Sequence, residues 1–295
     1  MTATAQSETG RLLRVALKHP RDAFRDAATI AGQWRALNFT APPDLARAID
    51  EFDRFAELLR STGAGVHLLP AAPGTTLDSI YVRDAALVCD RGIVLCRMGK
   101  PPRSAEPDAQ AAALPATSTP PLSILGRIEP PGMLEGGDLF WLDARTLVVG
   151  RGYRTNDSGI AQLRSVLRDS IDELVVVPLP HWRGASDVMH LMSLVSPVAP
   201  DLAVVYSPLL PVPFRERLLA RGMALVEVPD EEFDSMGTNV LALAPRRCVV
   251  LAGNPKTRAA LERARVHVTE YEGEEISVKG AGGPTCLTRP LLREC

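Results

Sequence analysis

The chemistry in this chain of 295 residues starts from one cysteine, Cys286, which lies in KGAGGPTCLTRP between glycines and prolines. A cysteine on so tight a backbone segment is being positioned, whereas a core cysteine only fills space. Cys89, Cys96 and Cys248 are of that second kind, set in apolar, strand-like runs, and Cys295 is the last residue and is expected to fray. Five cysteines with no CxxC pair argue against a disulfide framework and against zinc spacing. A free thiol is mostly protonated near neutral pH, so Cys286 needs a partner to react quickly. Of the histidines, His67 and His267 stand in apolar strand-like segments, His19 precedes Pro20, and His181 opens the loop HWRGASD. His190 sits in SDVMHLMSLV, where a polar run meets an apolar one, and is the preferred partner, with His181 second. A Cys–His pair can attack a carbon centre, then pass protons to a leaving group and take them from water.

Acidic residues form the second constellation. Asp78 and Asp84 bracket SIYVR, and LEGGD supplies Glu135 and Asp138. Carboxylates beside glycines at the start of an apolar strand are placed to face a pocket, and a pair of them matches the two-pronged donors of a guanidinium. The plainer alternative is turn and cap residues, above all for Gly-Gly-Asp. Arg83, Arg97, Arg151 and Arg154 lie near the same hairpins, where one or two could clamp a carboxylate; the surface is the usual alternative for each. There is no HExxH, no P-loop and no GxGxxG, so no metal and no organic cofactor is expected.

The elements that must position these groups repeat along the chain. RLLRVALKHP (11–20) reads as a strand, residues 42–63 as a helix with Leu45, Ile49, Phe52, Phe55 and Leu58 on its apolar face, and VHLLP (66–70) as a strand. DAALVCDRGIVLCR, GDLFWLDARTLVVGRG and NVLALAPRRCVVLAG are three hairpins, and DLAVVYSPLLP is a shortened fourth member. Helices are expected near 156–169, 213–222 and 256–264, followed by strands at 174–180, 224–229 and 266–271. A repeated hairpin–helix–strand unit cannot bury its own apolar face and gains by stacking. Closed around an axis it makes a propeller, with Asp84, Asp138 and Asn239 at strand starts converging on the centre. An open three-layer α/β sheet is the alternative. Residues 101–121 read as a surface crossing or mobile flap with a short helix near 106–113. No linker divides the chain, so residues 1–295 are expected to form a single catalytic domain.

Composition narrows the partners. A formal net charge of -2 without a Lys/Arg stripe gives no support to nucleic-acid binding. No apolar run reaches the roughly 18 residues of a membrane span, and the N-terminus lacks a basic segment followed by an apolar one. A cytoplasmic location follows as the default. The only segment suggesting disorder is MTATAQSE, residues 1–8. A homo-oligomer is compatible with the sequence, which carries no readable interface.

DSIYVRDAALV, LEGGDLFWL, YRTNDSG, MHLMS and GGPTCLTRPL occur in this order between residues 78 and 291. Together they resemble the guanidine-modifying superfamily of arginine deiminases, amidinotransferases and dimethylarginine dimethylaminohydrolases. RVALKHPRDAF is similar to that family's first strand and substrate loop. The resemblance implies an α/β fold, the five-fold pseudosymmetric α/β propeller called the pentein fold, and a small-molecule guanidino substrate. It assigns Cys286 as nucleophile and His190 as general acid/base. Asp84 and Glu135 would hold the guanidinium, Asp78 the substrate α-amine, and Arg97 and Arg154 the α-carboxylate. The implied reaction passes through a covalent S-alkylthiouronium and needs no cofactor. Length and local strings are most similar to the dimethylarginine dimethylaminohydrolases, and Met192 stands where arginine deiminases carry the aspartate of HLD. YVRD, with Arg83 where those hydrolases commonly read FVED, departs from them and leaves the expelled amine open. Hydrolysis of an Nω-methylated arginine is the leading reading. An arginine deiminase or amidinotransferase is the second, and a non-catalytic guanidino-binding protein the third.

Overall fold

Apolar runs of four or five residues, punctuated by tight turns, are too short and too uniformly hydrophobic for a one-sided sheet. In the computed structural model, which describes residues 3–118, 121–187 and 189–295, they form five small mixed sheets. Each has an antiparallel pair of strands and a third strand parallel to the second. Parallel neighbours need a crossover, and a helix supplies it. The second sheet contains Ala86–Cys89, Gly92–Leu95 and Ile124–Arg127, with helix Glu106–Ala113 in the crossover. The third contains Leu139–Asp143, Thr146–Arg151 and Glu173–Pro178, with helix Asp157–Leu167. The fourth contains Val195–Ala199, Leu202–Val205 and Ala224–Glu227, with helix Val212–Ala220. The fifth contains Leu241–Ala244, Arg247–Leu251 and His267–Tyr271, with helix Pro255–Arg263.

The first sheet is shared between distant parts of the chain. Arg11–Leu17 pairs in parallel with Gly65–Leu68 across the long helix Leu45–Ser61, and its antiparallel partner is the late strand Arg289–Glu294. The short strand Ala3–Thr4 adds to the outside of that late strand. Five β-α-β units in a ring make the pentein α/β propeller, and the open three-layer alternative is excluded by the separation into five sheets. The paired strands are buried along their length, as in Ala86–Cys89 and Gly92–Leu95, while the third strands lie outermost and expose Leu68, Ile124 and Val176.

Several expectations shift. Helix Leu45–Ser61 buries Ala48, Phe52, Phe55, Ala56 and Leu59, so its inner face is centred beside the expected one; Leu45, Ile49 and Leu58 are only half-buried. The fourth hairpin takes its first strand from upstream, Val195–Ala199, where Pro197 obscures the strand signal and a register shift follows it. Residues 101–118 are no loose flap: Arg103, Glu106, Gln110 and Leu114 are buried, and residues 119 and 120 lie outside the described residues. The segment expected to be disordered is tied down from Ala3 onward. Gln6 bonds to the carbonyls of Ala144 and Ser170, and Glu8 is buried against Arg83. Its first two residues lie outside the description. No helix among the described residues is long and apolar enough to cross a membrane.

Candidate active site

Each unit delivers side chains from the residues that lead into its first strand. Asp84 precedes Ala86–Cys89, Glu135 and Asp138 precede Leu139–Asp143, and His190 precedes Val195–Ala199. Asn239 precedes Leu241–Ala244, and Cys286 precedes Arg289–Glu294. At these positions the chain turns at the inner end of a sheet, so a ring of sheets becomes a ring of functional groups. Asp78, Asp84, Arg154, His190, Asn239 and Cys286 all line one cleft.

Acidic groups dominate one wall. Glu135 is fully buried and accepts from the backbone N–H of Gly99 at 2.8 Å and of Lys100 at 3.1 Å, and from Arg154 Nη1 at 3.3 Å. Its other oxygen meets His190 Nε2 at 2.7 Å. Burial alone would raise its pKa, but His190, Arg154 and Arg103 together hold the carboxyl well below the usual range. His190 feels the reverse. Burial pulls it down, and the carboxylates of Asp84, Glu135 and Asp138 outweigh that, pushing its pKa up to about 9. It is therefore an imidazolium at neutral pH. Asp84 takes Arg103 Nη1 at 2.5 Å on one oxygen; the other is buried without a hydrogen bond, 3.9 Å from His190 Nδ1.

Support for this wall is local. Asp138 accepts from the Leu191 N–H at 2.9 Å and from Thr155 Oγ1 at 2.6 Å, which fixes the backbone beside His190. Burial pushes the Asp138 carboxyl up to about 6. Gly137 has to be glycine: a Cβ there would collide with the His190 ring and come within 2.8 Å of Asp84 Oδ1. The Gly-Gly-Asp string is thus more than a turn, because it lets carboxylate and imidazole share one small space.

The opposite wall is nearly neutral. Cys286 is half-buried, and Asn239 Nδ2 donates to its Sγ at 3.4 Å. Asn239 Oδ1 in turn accepts from the N–H of Thr285 at 3.0 Å and its hydroxyl at 2.8 Å. Gly283 lies flat on Asn239, where a Cβ would meet the amide at 2.5 Å. Burial pushes the Cys286 thiol up and Asp84 adds to it, against the pull of the Asn239 and Thr285 hydrogen bonds. Cys89, Cys96 and Cys248 are buried free thiols in the apolar interior.

The remaining expected residues divide. Arg154 lies in the cleft wall, on Glu135. Asp78 also lines the cleft, with its carboxylate 2.6 Å from Lys100 Nζ. Arg97 does not line it; half-buried, it donates to the Gly132 carbonyl at 3.0 Å. Arg83 is fully buried on the other side of the backbone from Asp84, where Glu8 meets it at 2.7 Å. His181, the second histidine candidate, is tied to Tyr153 Oη at 2.6 Å outside the cleft. Arg103 and Lys100 escaped the sequence reading. Arg103 had a weak signal in the Arg103–Glu106 spacing on one helical turn, which forms a buried pair at 2.8 Å.

Asp84, Glu135 and His190 bring donor atoms within 4.8 Å of one another, a spacing that can hold a cation. His190 Nε2 is already engaged by Glu135 at 2.7 Å, a contact that a metal ion would have to displace. The open Asp84 oxygen instead suits a cation that donates hydrogen bonds, with a thiol across the cleft.

A family model described as N,N dimethylarginine dimethylhydrolase, eukaryotic, matches residues 35–293. The N(G),N(G)-dimethylarginine dimethylaminohydrolase of Streptomyces coelicolor is 29% identical over 250 residues, covering 83% of this chain and 86% of that protein. Two solved structures share the fold. The amidinotransferase SxtG from Microseira wollei superposes with a TM-score of 0.80 at 17% identity, over 99% of this chain and 98% of that one. The dimethylarginine dimethylaminohydrolase of Pseudomonas aeruginosa in complex with citrulline superposes with a TM-score of 0.75 at 21% identity, over 94% and 98%. The family match begins ahead of the long helix at Leu45 and reaches into the closing strand at Arg293, and the chain accordingly belongs to the N,N-dimethylarginine dimethylhydrolase family of the arginine deiminase and amidinotransferase superfamily, as a guanidino-group-modifying hydrolase.

Proposed function

We propose that residues 1–295 act as a single catalytic domain that hydrolyses the guanidinium of Nω-methylated arginine, releasing citrulline and a methylated amine. The observation that carries this reading is the buried, unpartnered oxygen of Asp84 beside a protonated His190, in a cleft also lined by Cys286. Asp84 and Glu135 hold the guanidinium, Arg154 serves the α-carboxylate, and Asp78 is the acid that an α-amine would have to share with Lys100. A guanidinium at Asp84 compensates the negative charge that helps keep the Cys286 thiol protonated, so substrate binding favours loss of its proton. The thiolate adds to the guanidinium carbon. His190 gives its proton to the departing amine, the C–N bond breaks, and an S-alkylthiouronium remains on Cys286. Neutral His190 then takes a proton from water as the water oxygen attacks the same carbon. The C–S bond breaks to regenerate the thiolate, and the ureido product leaves. No metal or organic cofactor takes part in these steps.

Arg83, the sequence feature that argued against methylated substrates, does not line the cleft and is paired with Glu8, which offsets its charge. Purified protein should form citrulline from monomethyl- or dimethylarginine, and Cys286→Ser should abolish it, read by ureido-product assay. Absence of any ureido product from arginine, its methylated forms and agmatine sinks the hydrolase reading. A new guanidino compound formed from an added amine points to amidino transfer instead.

A further inference from the structure

Lys100 plays no part in the reaction just described, yet it stands in the cleft wall. Its Nζ lies 2.6 Å from Asp78 Oδ2 and donates to the Leu37 carbonyl at 2.8 Å. Both side chains of the pair are largely shielded, 12% exposed for Lys100 and 5% for Asp78. The main chain of the lysine is fixed, because its own N–H is bonded to Glu135 Oε1, the oxygen that Arg154 also holds. Lys100 is thus fastened by its backbone to the guanidinium-binding carboxylate and by its ammonium to the carboxylate at the other end of the cleft. Asp78 is a carboxylate already in use.

From this arrangement we infer that Lys100 is a specificity-determining residue that occupies the seat of a substrate α-ammonium, so that among substrates with the same guanidino head group the cleft favours those lacking an α-amine, and methylated arginines react less readily than their desamino counterparts. The inference rests on the hydrolase reading for its chemistry but concerns only the tail of the substrate. An α-ammonium brought to Asp78 would put two cations on one shielded carboxylate, or force Lys100 away from that ion pair and from the Leu37 carbonyl. A tail carboxylate without the amine meets no such conflict. It finds Lys100 and Arg154, both anchored to Glu135, as cationic neighbours. The head group is untouched, so the preference acts on binding rather than on bond breaking.

Arginine and δ-guanidinovalerate differ only in the α-amine and form the cleanest probe, with agmatine as the amine-bearing compound lacking the carboxylate. Wild-type kcat/KM should favour δ-guanidinovalerate over arginine by about tenfold, the scale of one unfavourable charge contact, with agmatine poorest. Lys100→Met should reverse the order, raising KM for δ-guanidinovalerate and lowering it for arginine at nearly constant kcat. A wild-type preference for arginine, or a Lys100→Met change that moves both substrates in the same direction, overturns the inference. Calorimetric binding of both compounds to the Cys286→Ser protein separates the two levels. If neither compound nor any methylated arginine is turned over but δ-guanidinovalerate still binds more tightly, the hydrolysis reading fails and the role of Lys100 stands. Tighter binding of arginine removes that role whatever the turnover.

Discussion

Two buried ionic clusters lie back to back along the chain segment at residues 83 and 84, and they are built oppositely. The Asp84 side gathers the carboxylates of Asp84, Glu135 and Asp138 around His190, and leaves an acceptor oxygen open. The Arg83 side gathers the guanidinium groups of Arg83, Arg289 and Arg293, with Glu8 the carboxylate in direct contact. The donors that are bonded go largely to main-chain oxygens, while Arg83 Nε and Nη1, Arg289 Nε, and Arg293 Nε and Nη2 have no hydrogen-bond partner among the described residues. Arg293 reaches the carbonyls of Gly10 at 2.6 Å and Ala242 at 2.9 Å, and Arg289 reaches that of Arg83. Burial, with Arg83 close by, lowers Arg289 to about 9 and Arg293 to about 10. Main-chain carbonyls are set by the fold and cannot adjust to a ligand, whereas an unpaired carboxylate oxygen at a cleft can. The first cluster is a receptor and the second is a fastening between the chain's early and late segments.

That division can be broken by substitution. Asp84→Asn should cut kcat/KM by roughly a thousandfold, in the range seen when positioned acid–base and ion-binding groups are lost. Its unfolding midpoint should fall less than that of Glu8→Ala, since Arg103 keeps Glu106 and an amide oxygen can still accept from it. Glu8→Ala should do the converse. Removing one partner of a buried pair costs about 3 kcal/mol of stability, visible in urea unfolding, while turnover per folded molecule is preserved. If Glu8→Ala lowers turnover as far as Asp84→Asn without loss of stability, the two clusters are one functional unit and the comparison collapses. The smallest effect is on pH dependence. The Cys286 thiol is raised, so thiolate is scarce at low pH and kcat/KM should climb through the neutral range. In the proposed mechanism His190 must be protonated to release the amine, and its carboxylate neighbours push its pKa up to about 9, so the climb should end near that point and turn down beyond it. His190→Gln should erase the descending limb along with most of the rate. A descending limb that survives in this variant assigns the alkaline loss to another group.

The acidic cluster was legible because its members stand in short strings beside strands: YVRD, LEGGD, MHLMS and GGPTC each place a polar residue where apolar periodicity begins. The repeat of hairpin, helix and strand was legible for the same reason. What escaped depends on pairings that no local window contains. Glu8 and Arg83 are 75 residues apart, and Asn239 and Cys286 are 47 apart. Lys100 and Arg103 fall in a proline-rich stretch whose composition suggests a surface crossing, and only the packing of helix Glu106–Ala113 turns them inward. Pro197 hid a strand because its lost N–H is tolerated at the register shift. Arg97 shows the limit of carrying a motif across. Its position in the string places it beside the cleft, and its guanidinium is spent on the Gly132 carbonyl.

Strand Arg289–Glu294 has a consequence for the life of the molecule. It pairs with Arg11–Leu17, so the first sheet cannot be completed until residues 289–294 have been made and have folded back onto that early strand. Cys286 lies immediately ahead of that strand and is carried to its place by the same closure. Before residue 286 is made, the units that carry Asp84, Glu135 and His190 can assemble with no thiol opposite them. The proposed nucleophile is therefore placed only as the ring shuts.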